Sequence, residues 1–265
     1  MIKSPKGIIA IIPARYAATR FPGKPLIEIL GKPMIQYVYE QAARCKLIQR
    51  IIVATDDKRI FQRVKEFGGE VMMTSSRHIS GSDRVAEVAE KVDADIIVNV
   101  QGDEPLLEPK MVNQVIELLL EDQSYQVSSL KYPIQSIDEL LSHQVVKVVT
   151  DKQGSALYFS RSPIPYFKSK EGYISSIEQL LNEHPNLIKK YFKHIGIYAY
   201  RKAFLQLYAR LKPTPLELME GLEQLRILEN GYKIKIGKSK YFTIGVDTPE
   251  DLEMIVHTLR GERQA

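Results

Sequence analysis

The sequence predicts an α/β fold built on a parallel, doubly wound sheet, and three observations carry that expectation. Short β-branched runs such as Ile8-Ile9-Ala10-Ile11-Ile12 alternate with amphipathic stretches of helical length, the order that yields a parallel sheet with helices on both faces. The runs are apolar at consecutive positions rather than at every second one, as strands covered on both sides require. Several end in polar, turn-forming residues, where an open parallel sheet presents its ligand crevice.

Taken in order, Ile8 to Ile12 forms the first strand, and Pro13, which lacks an amide donor, is expected to end it. Arg15, Arg20 and Lys24 follow among small residues, with Gly23 just before the lysine. Such a loop lets backbone amides approach an anion while fixed cations neutralise it. A solvated basic loop fits the same composition. After an apolar piece at Leu26 to Leu30, Pro33 opens a helix to about Arg44, with Met34, Ile35, Val38 and Ala42 on one face. Arg50 to Ala54 is a strand, stopped by Thr55-Asp56-Asp57, which lead into a helix from Lys58 to Phe67 closed by Gly68-Gly69. Glu70 to Met73 is a third strand. Ser80 and Asp83 mark a helix start, with Val85, Val88, Ala89 and Val92 at helical spacing. Ile96 to Val100 is a further strand, ending at Gln101-Gly102-Asp103-Glu104-Pro105.

The second half is less regular. Strands are expected at Gln126 to Tyr132, Val145 to Thr150 and Ala156 to Ser160, with a short helix near Ile137 to Ser142. Lys168 to Lys190 is polar and reads as a mobile surface insertion with a helical patch at Ile177 to Leu181. His194 to Tyr200 resumes a strand, and Arg201 to Arg210 a helix. One helix is expected from Pro215 to Glu229, with Leu218, Leu222, Leu225 and Leu228 on or near one face and Gly231 ending it. A strand at Tyr232 to Ile236 and a helix opened by Pro249 complete the chain. No linker interrupts this order, so residues 1–265 read as one domain, with 126–230 as an inserted or extended subregion.

The composition narrows the function classes. The 265 residues carry one cysteine, Cys45, so neither an intrachain disulfide nor a cysteine metal cluster is possible. The net charge of +5 comes from cations spread along the chain, which suits a small polyanionic ligand at least as well as nucleic acid. No apolar stretch approaches the ~20 residues of a membrane helix, and the first residues lack a signal-peptide core. A cytoplasmic protein without membrane contact is expected.

Three strand exits are expected to converge: the cationic loop, Gln101 to Glu104, and Asp247. Asp103 and Asp247 are hard oxygen ligands of the kind Mg²⁺ shares with phosphate. A turn aspartate and a helix cap are the plainer readings of the two. The Gly-x-Gly-x-x-Gly and Gly-x-x-x-x-Gly-Lys-Ser/Thr loops, the Gly-x-Ser-x-Gly elbow and the His-Glu-x-x-His pair do not occur. His194 stands four residues from Tyr198, which puts both on one side of a strand, although a lone histidine is more often structural.

The motifs Ile-Pro-Ala-Arg15-Tyr-Ala-Ala-Thr-Arg20-Phe-Pro-Gly-Lys24-Pro, Val-Ala-Thr-Asp56, His78-Ile-Ser80-Gly81-Ser-Asp-Arg84, Asn-Val-Gln101-Gly-Asp103-Glu-Pro and Gly-Val-Asp247-Thr-Pro-Glu-Asp-Leu occur in that order. With them the chain, from Gly7 to about Leu259, resembles the 3-deoxy-manno-octulosonate (Kdo) cytidylyltransferases. The resemblance implies a mostly parallel, doubly wound (Rossmann-like) nucleotidyltransferase sheet with an inserted dimerisation and sugar-binding subregion. It also implies a homodimer, dependence on Mg²⁺, and the reaction of CTP with Kdo to give CMP-Kdo and diphosphate for lipopolysaccharide biosynthesis.

Carried over by residue, the resemblance makes Arg15 and Lys24 the triphosphate-binding cations, with Arg20 assisting, and places Ser80 and Gly81 beside the cytidine. Gln101 belongs to both the nucleotide and sugar sides. Asp103 and Asp247 are implied as Mg²⁺ ligands, so that Arg15, Lys24, Asp103 and Asp247 form the catalytic set. Arg161, His194, Tyr198, Glu223 and Gln224 are the implied sugar-acid contacts, with Arg161 suited to the carboxylate. Ser82 replaces the expected threonine and keeps the hydroxyl, and Lys168 to Lys190 is longer than expected. Activation of another sugar acid, such as sialic acid or an amino-Kdo, is the nearest alternative. A non-catalytic CTP sensor is a more distant one.

Overall fold

The computed structural model describes residues 7–17, 21–78, 80–168, 181 and 185–261. Its main sheet has nine strands. Seven run in the order β11 (Ile234–Lys238), β7 (Val127–Pro133), β10 (Phe192–Arg201), β6 (Ile96–Asn99), β1 (Ile8–Ala14), β4 (Arg50–Thr55), β5 (Val71–Met73). β10 runs antiparallel to β6 and β7, and the other neighbours along this path are parallel. β8 (Lys147–Thr150) pairs with β10 and with β9 (Ala156–Ser160). A separate hairpin joins β2 (Glu28–Ile29) to β3 (Lys32–Pro33).

Both faces of the sheet are covered, which explains the unbroken apolar runs. Ile8, Ala10 and Ile12 pack with residues of α1 (Met34–Ala43), α2 (Lys58–Glu66) and α4 (Pro109–Glu121), whereas Ile9 and Ile11 pack with α3 (Gly81–Glu90), α6 (Lys202–Tyr208) and α8 (Leu225–Glu229). Alternation along β1 thus feeds two cores at once. Ile11 and Ile12 are both fully buried, and each such side chain contributes about 1.5–3 kcal/mol relative to exposure. A smaller cluster of Ile29, Met34, Val246 and Ile255 anchors α9 (Pro249–Leu259) against the start of α1. It fixes the backbone beside Asp247.

The expected elements form with four differences. First, β1 continues through Pro13 to Ala14. Val100 N donates to Ile11 O, so Pro13, two residues on, also turns its missing donor toward β6, which has already ended at Asn99. The proline therefore costs the sheet no hydrogen bond there. Second, α4 has no counterpart among the expected elements, although Met111, Val112, Val115, Ile116 and Leu119 are buried at helical spacing.

Third, the single helix expected from Pro215 to Glu229 is two short ones, α7 (Pro215–Glu220) and α8. Gly221 sits between them at φ 63°, and Leu222 N bonds back to Glu217 O, a glycine C-cap. Leu218 is consequently 71% exposed, off the expected apolar face. Fourth, Pro33 precedes α1 as an extended cap residue rather than lying in its first turn. α5 (Ile137–Leu141) forms close to where expected. Leu181 is buried with Ile134, Leu140 and Tyr191, and Pro185–Lys190 is a 3₁₀ helix. The rest of the expected helical patch at Ile177 to Leu181, and most of the insertion around it, lie outside the described residues.

Candidate active site

The exits of β1 and β6 and the turn before α9 meet in one cavity of about 280 Å³, lined by Arg15, Lys24, Ser80, Gly81, Gln101, Asp103 and Asp247 among others. The structure thus unites the two implied metal ligands with the implied nucleotide residues, apart from Arg20, which lies outside the described residues. Gly102 makes the approach possible: a Cβ there would stand 2.7 Å from Pro13 O. The β6 exit can therefore lie against the β1 exit only with glycine at this position.

Lys24 is the electrostatic centre. It opens a short 3₁₀ turn after Gly23, whose φ of 74° suits glycine, and Gly23 N bonds to Tyr16 O to close the neck of the cationic loop. Lys24 Nζ lies 2.6 Å from Asp103 Oδ2 and 3.2 Å from Asp247 Oδ1, and donates to Val246 O at 2.6 Å. The plain cap reading of Asp247 does not hold, because Thr248 caps α9 in a reciprocal box with Asp251. Asp247 instead turns its carboxylate to the lysine.

Cytidylyltransferases generally use a divalent metal ion. The donor set fits one: both carboxylates already reach a single cationic atom, and they are hard oxygen ligands. Among the described residues no group of three or more His, Cys, Asp and Glu side chains gathers as a metal site. An ion held here would take its remaining ligands from water and phosphate.

On the opposite wall, Ser80 caps α3, accepting from Asp83 N at 3.1 Å while Asp83 accepts from Ser80 N. This presents the positive end of a ten-residue helix to the cavity. Arg15 lines the rim with an exposed side chain. His78 and Arg84 also line the cavity but carry no role in the sequence reading. Arg84 is buried and tied to Thr74 and, at 3.2 Å, to Asp56. His78 Nε2 lies 2.6 Å from Glu87. Burial would push the Glu87 carboxyl up, but bonds from Lys91, the Ser75 amide and His78 hold it at about 2. Both residues stand inside a quoted motif, so the signal was present without an assignment. Glu104, beside Asp103, is buried, and burial reinforced by that neighbouring charge pushes its carboxyl up to about 8.

Of the implied sugar-side residues, His194 and Tyr198 stand on β10. Gln101 Nε2 donates to Gly196 O at 3.0 Å, linking the cavity to this strand. The rings of His194 and Tyr198 lie 5.3 Å apart, so the two do share a face despite the register shift between Ile195 and Ala199. Burial lowers His194 to about 3 and raises Tyr198 well above its ordinary value, so both are neutral hydrogen-bonding groups. Burial raises the Glu223 carboxyl, and a bond from Ser82 works against that shift. The Ser82 hydroxyl also bonds Tyr200. Gln224 is buried at the start of α8. Arg161 is engaged otherwise: it donates to Glu220 O at 2.7 Å, His143 O at 2.9 Å and Gly221 O at 3.3 Å. It braces the α7 to α8 turn and, like His194, Tyr198, Glu223 and Gln224, is not among the residues that line the cavity.

The sequence profile of the family described as Cytidylyltransferase matches residues 9–236. A 3-deoxy-manno-octulosonate cytidylyltransferase of Geobacter metallireducens is 53% identical over 95% of this chain and 97% of its own. One of Syntrophobacter fumaroxidans is 47% identical over 95% and 96%. A solved structure of CMP:2-keto-3-deoxy-manno-octonic acid synthetase complexed with CTP superposes with a TM-score of 0.86 at 42% identity, covering 97% of this chain and 100% of that one. The mostly parallel sheet, the united strand exits and these matches place the chain in the 3-deoxy-manno-octulosonate cytidylyltransferase family.

Proposed function

We propose that this protein activates Kdo, joining it to CTP to give CMP-Kdo and diphosphate for lipopolysaccharide biosynthesis. The observation that carries the reading is the convergence of Asp103 and Asp247 on Lys24 in a cavity also lined by Arg15, Ser80, Gly81 and Gln101. The family supports the same substrates. Mg²⁺ as the ion on Asp103 and Asp247, a cytoplasmic location, a homodimer, and a sugar-binding and dimerisation role for residues 126–230 belong to this proposal.

In this reading the anomeric hydroxyl oxygen of Kdo forms a bond to the α-phosphorus of CTP in line as the bond to the bridging β-phosphate oxygen breaks. Diphosphate departs and the hydroxyl proton passes to solvent. Arg15 and Lys24 hold charge on the departing diphosphate, and the amide end of α3 with Ser80 and Gly81 positions the nucleotide. Gln101 spans the two substrates through its contact with β10. Neutral His194 and Tyr198 offer hydrogen bonds to sugar hydroxyls without adding charge. When bound at Asp103 and Asp247, Mg²⁺ supplies Lewis-acid polarisation of the phosphate and lessens its repulsion of the nucleophile.

The test is diphosphate release from CTP with Mg²⁺ and a panel of sugar acids, with mass analysis of the product. CMP-Kdo formed in preference to the sialic acid and amino-Kdo products supports the reading. Release with another acid and none with Kdo overturns it.

A further inference from the structure

We propose that Ser82 is a positioning residue for the transfer, its hydroxyl fixing the Glu223 carboxylate against the nucleotide wall, a role that rests on the proposed activity. Ser80 and Gly81 line the cavity, and Ser82, the next residue of α3, does not. Its hydroxyl bonds instead to Glu223 and Tyr200. The single hydroxyl proton sets the direction of this chain: an ionised carboxylate only accepts, so Ser82 donates to Glu223 and receives from the Tyr200 hydroxyl. Burial holds Tyr200 protonated by raising it far above its ordinary value, which keeps that donor in place.

Glu223 lies half-buried in the turn between α7 and α8. Its carbonyl oxygen accepts from Tyr208 Oη at 3.0 Å and from Arg226 N at 3.2 Å. The Tyr208 ring stacks on Tyr200 with centroids 6.3 Å apart, and Tyr200 on Tyr198 at 5.7 Å. Backbone and side chain of Glu223 are therefore tied to one aromatic column that reaches Tyr198. Among the described residues no salt bridge reaches the carboxylate, and Arg226 is spent on Glu217, through Nη2 and through Nε at 2.7 Å, and on Leu211 O at 3.2 Å. A half-buried carboxylate held by one hydroxyl keeps lone pairs for further donors, and the hydroxyl groups of a sugar acid supply them.

Glu223 stands outside the cavity lining and adjoins it through Ser82. The first turn of α3 presents its amides to the nucleotide, and its second residue holds the acceptor offered to the sugar. One short segment thereby sets the spacing between two substrates that must meet in line, where a displacement of about 1 Å is costly. Gln101, donating to Gly196 O, ties the cavity to β10 in the same manner.

The experiment measures the KM for Kdo and for CTP in the wild type, Ser82→Ala, Ser82→Thr, Glu223→Ala and the double variant Ser82→Ala/Glu223→Ala. Alanine is the stronger helix former, so α3 survives the first change. Ser82→Ala should raise the KM for Kdo about tenfold, as loss of a hydrogen bond to a charged group implies, with the KM for CTP within about twofold. Ser82→Thr, which keeps the hydroxyl, should stay within about twofold of the wild type for both. Because Ser82 acts through Glu223, the double variant should bind Kdo no more weakly than Glu223→Ala alone. A wild type that uses Kdo alongside a Ser82→Ala variant whose KM for Kdo is unchanged, whose KM for CTP rises equally, or whose loss adds in full to that of Glu223→Ala overturns the positioning role and leaves the proposed activity standing. A wild type that turns over no Kdo overturns both.

Discussion

Gly102→Ala offers a sharp perturbation because the clash it creates is with backbone. Its Cβ would lie 2.7 Å from Pro13 O, with Ile12 Cγ2 at 3.6 Å and Ile35 Cδ1 at 3.7 Å closing the other directions. Relief requires the β1 and β6 exits to separate by roughly half an ångström, an overpacking strain of about 1–3 kcal/mol. For a chain of this size that lowers the melting temperature by about 2–12 °C. The same movement carries Asp103 away from Lys24, now 2.6 Å from it, and displacements of this order at a reacting centre cost about tenfold or more in turnover. Thermal unfolding and diphosphate release at saturating CTP and Kdo measure the two effects. A Gly102→Ala protein that melts with the wild type and turns over equally fast would refute the reasoning.

Lys24→Met should have effects of opposite sign: tighter Mn²⁺ binding to the nucleotide-free protein, because the competing ammonium is gone, and a higher KM for CTP. Metal titration followed by electron paramagnetic resonance checks the first, and weaker Mn²⁺ binding would contradict it. Arg226→Met strands the buried Glu217 carboxylate, whose partner it is, and should cost about 3–5 kcal/mol in urea unfolding. A loss below about 1 kcal/mol would contradict the pair's role. Burial lowers His194 from 6.5 to about 3, so between those values the unfolded chain binds a proton that the folded chain does not. That contribution to stability is intact above 6.5 and falls as pH drops toward 3. A His194→Gln variant should lose stability less steeply over this window, and equal slopes would contradict the assignment.

Much of the site was legible because each part is local. The apolar run before Arg15, the Ser80 cap and the turn from Gln101 to Glu104 each announce a strand or helix end, and a parallel sheet gathers such ends on one edge. Pairwise facts were not legible. Nothing in the spacing of Pro215 to Glu229 reveals that Gly221 adopts a positive φ and divides the helix, because glycine is also tolerated within helices. Arg161 reads as a free cation until the fold brings Glu220 O, Gly221 O and His143 O around it. The helix from Pro109 to Glu121 was written in its apolar spacing and shows that a clear period can be passed over between two motifs.

The central claim is that Asp103 and Asp247 hold the ion on which nucleotidyl transfer depends. Diphosphate release from CTP and Kdo, run with and without a chelator for the wild type, Asp103→Ala and Asp247→Ala, tests it most directly. Expected are one diphosphate per CMP-Kdo in the wild type, loss of that activity on chelation with recovery on adding Mg²⁺, and loss of most turnover in both folded variants. Near-normal Mg²⁺-dependent activity in either variant, or wild-type activity indifferent to chelation, would contradict it.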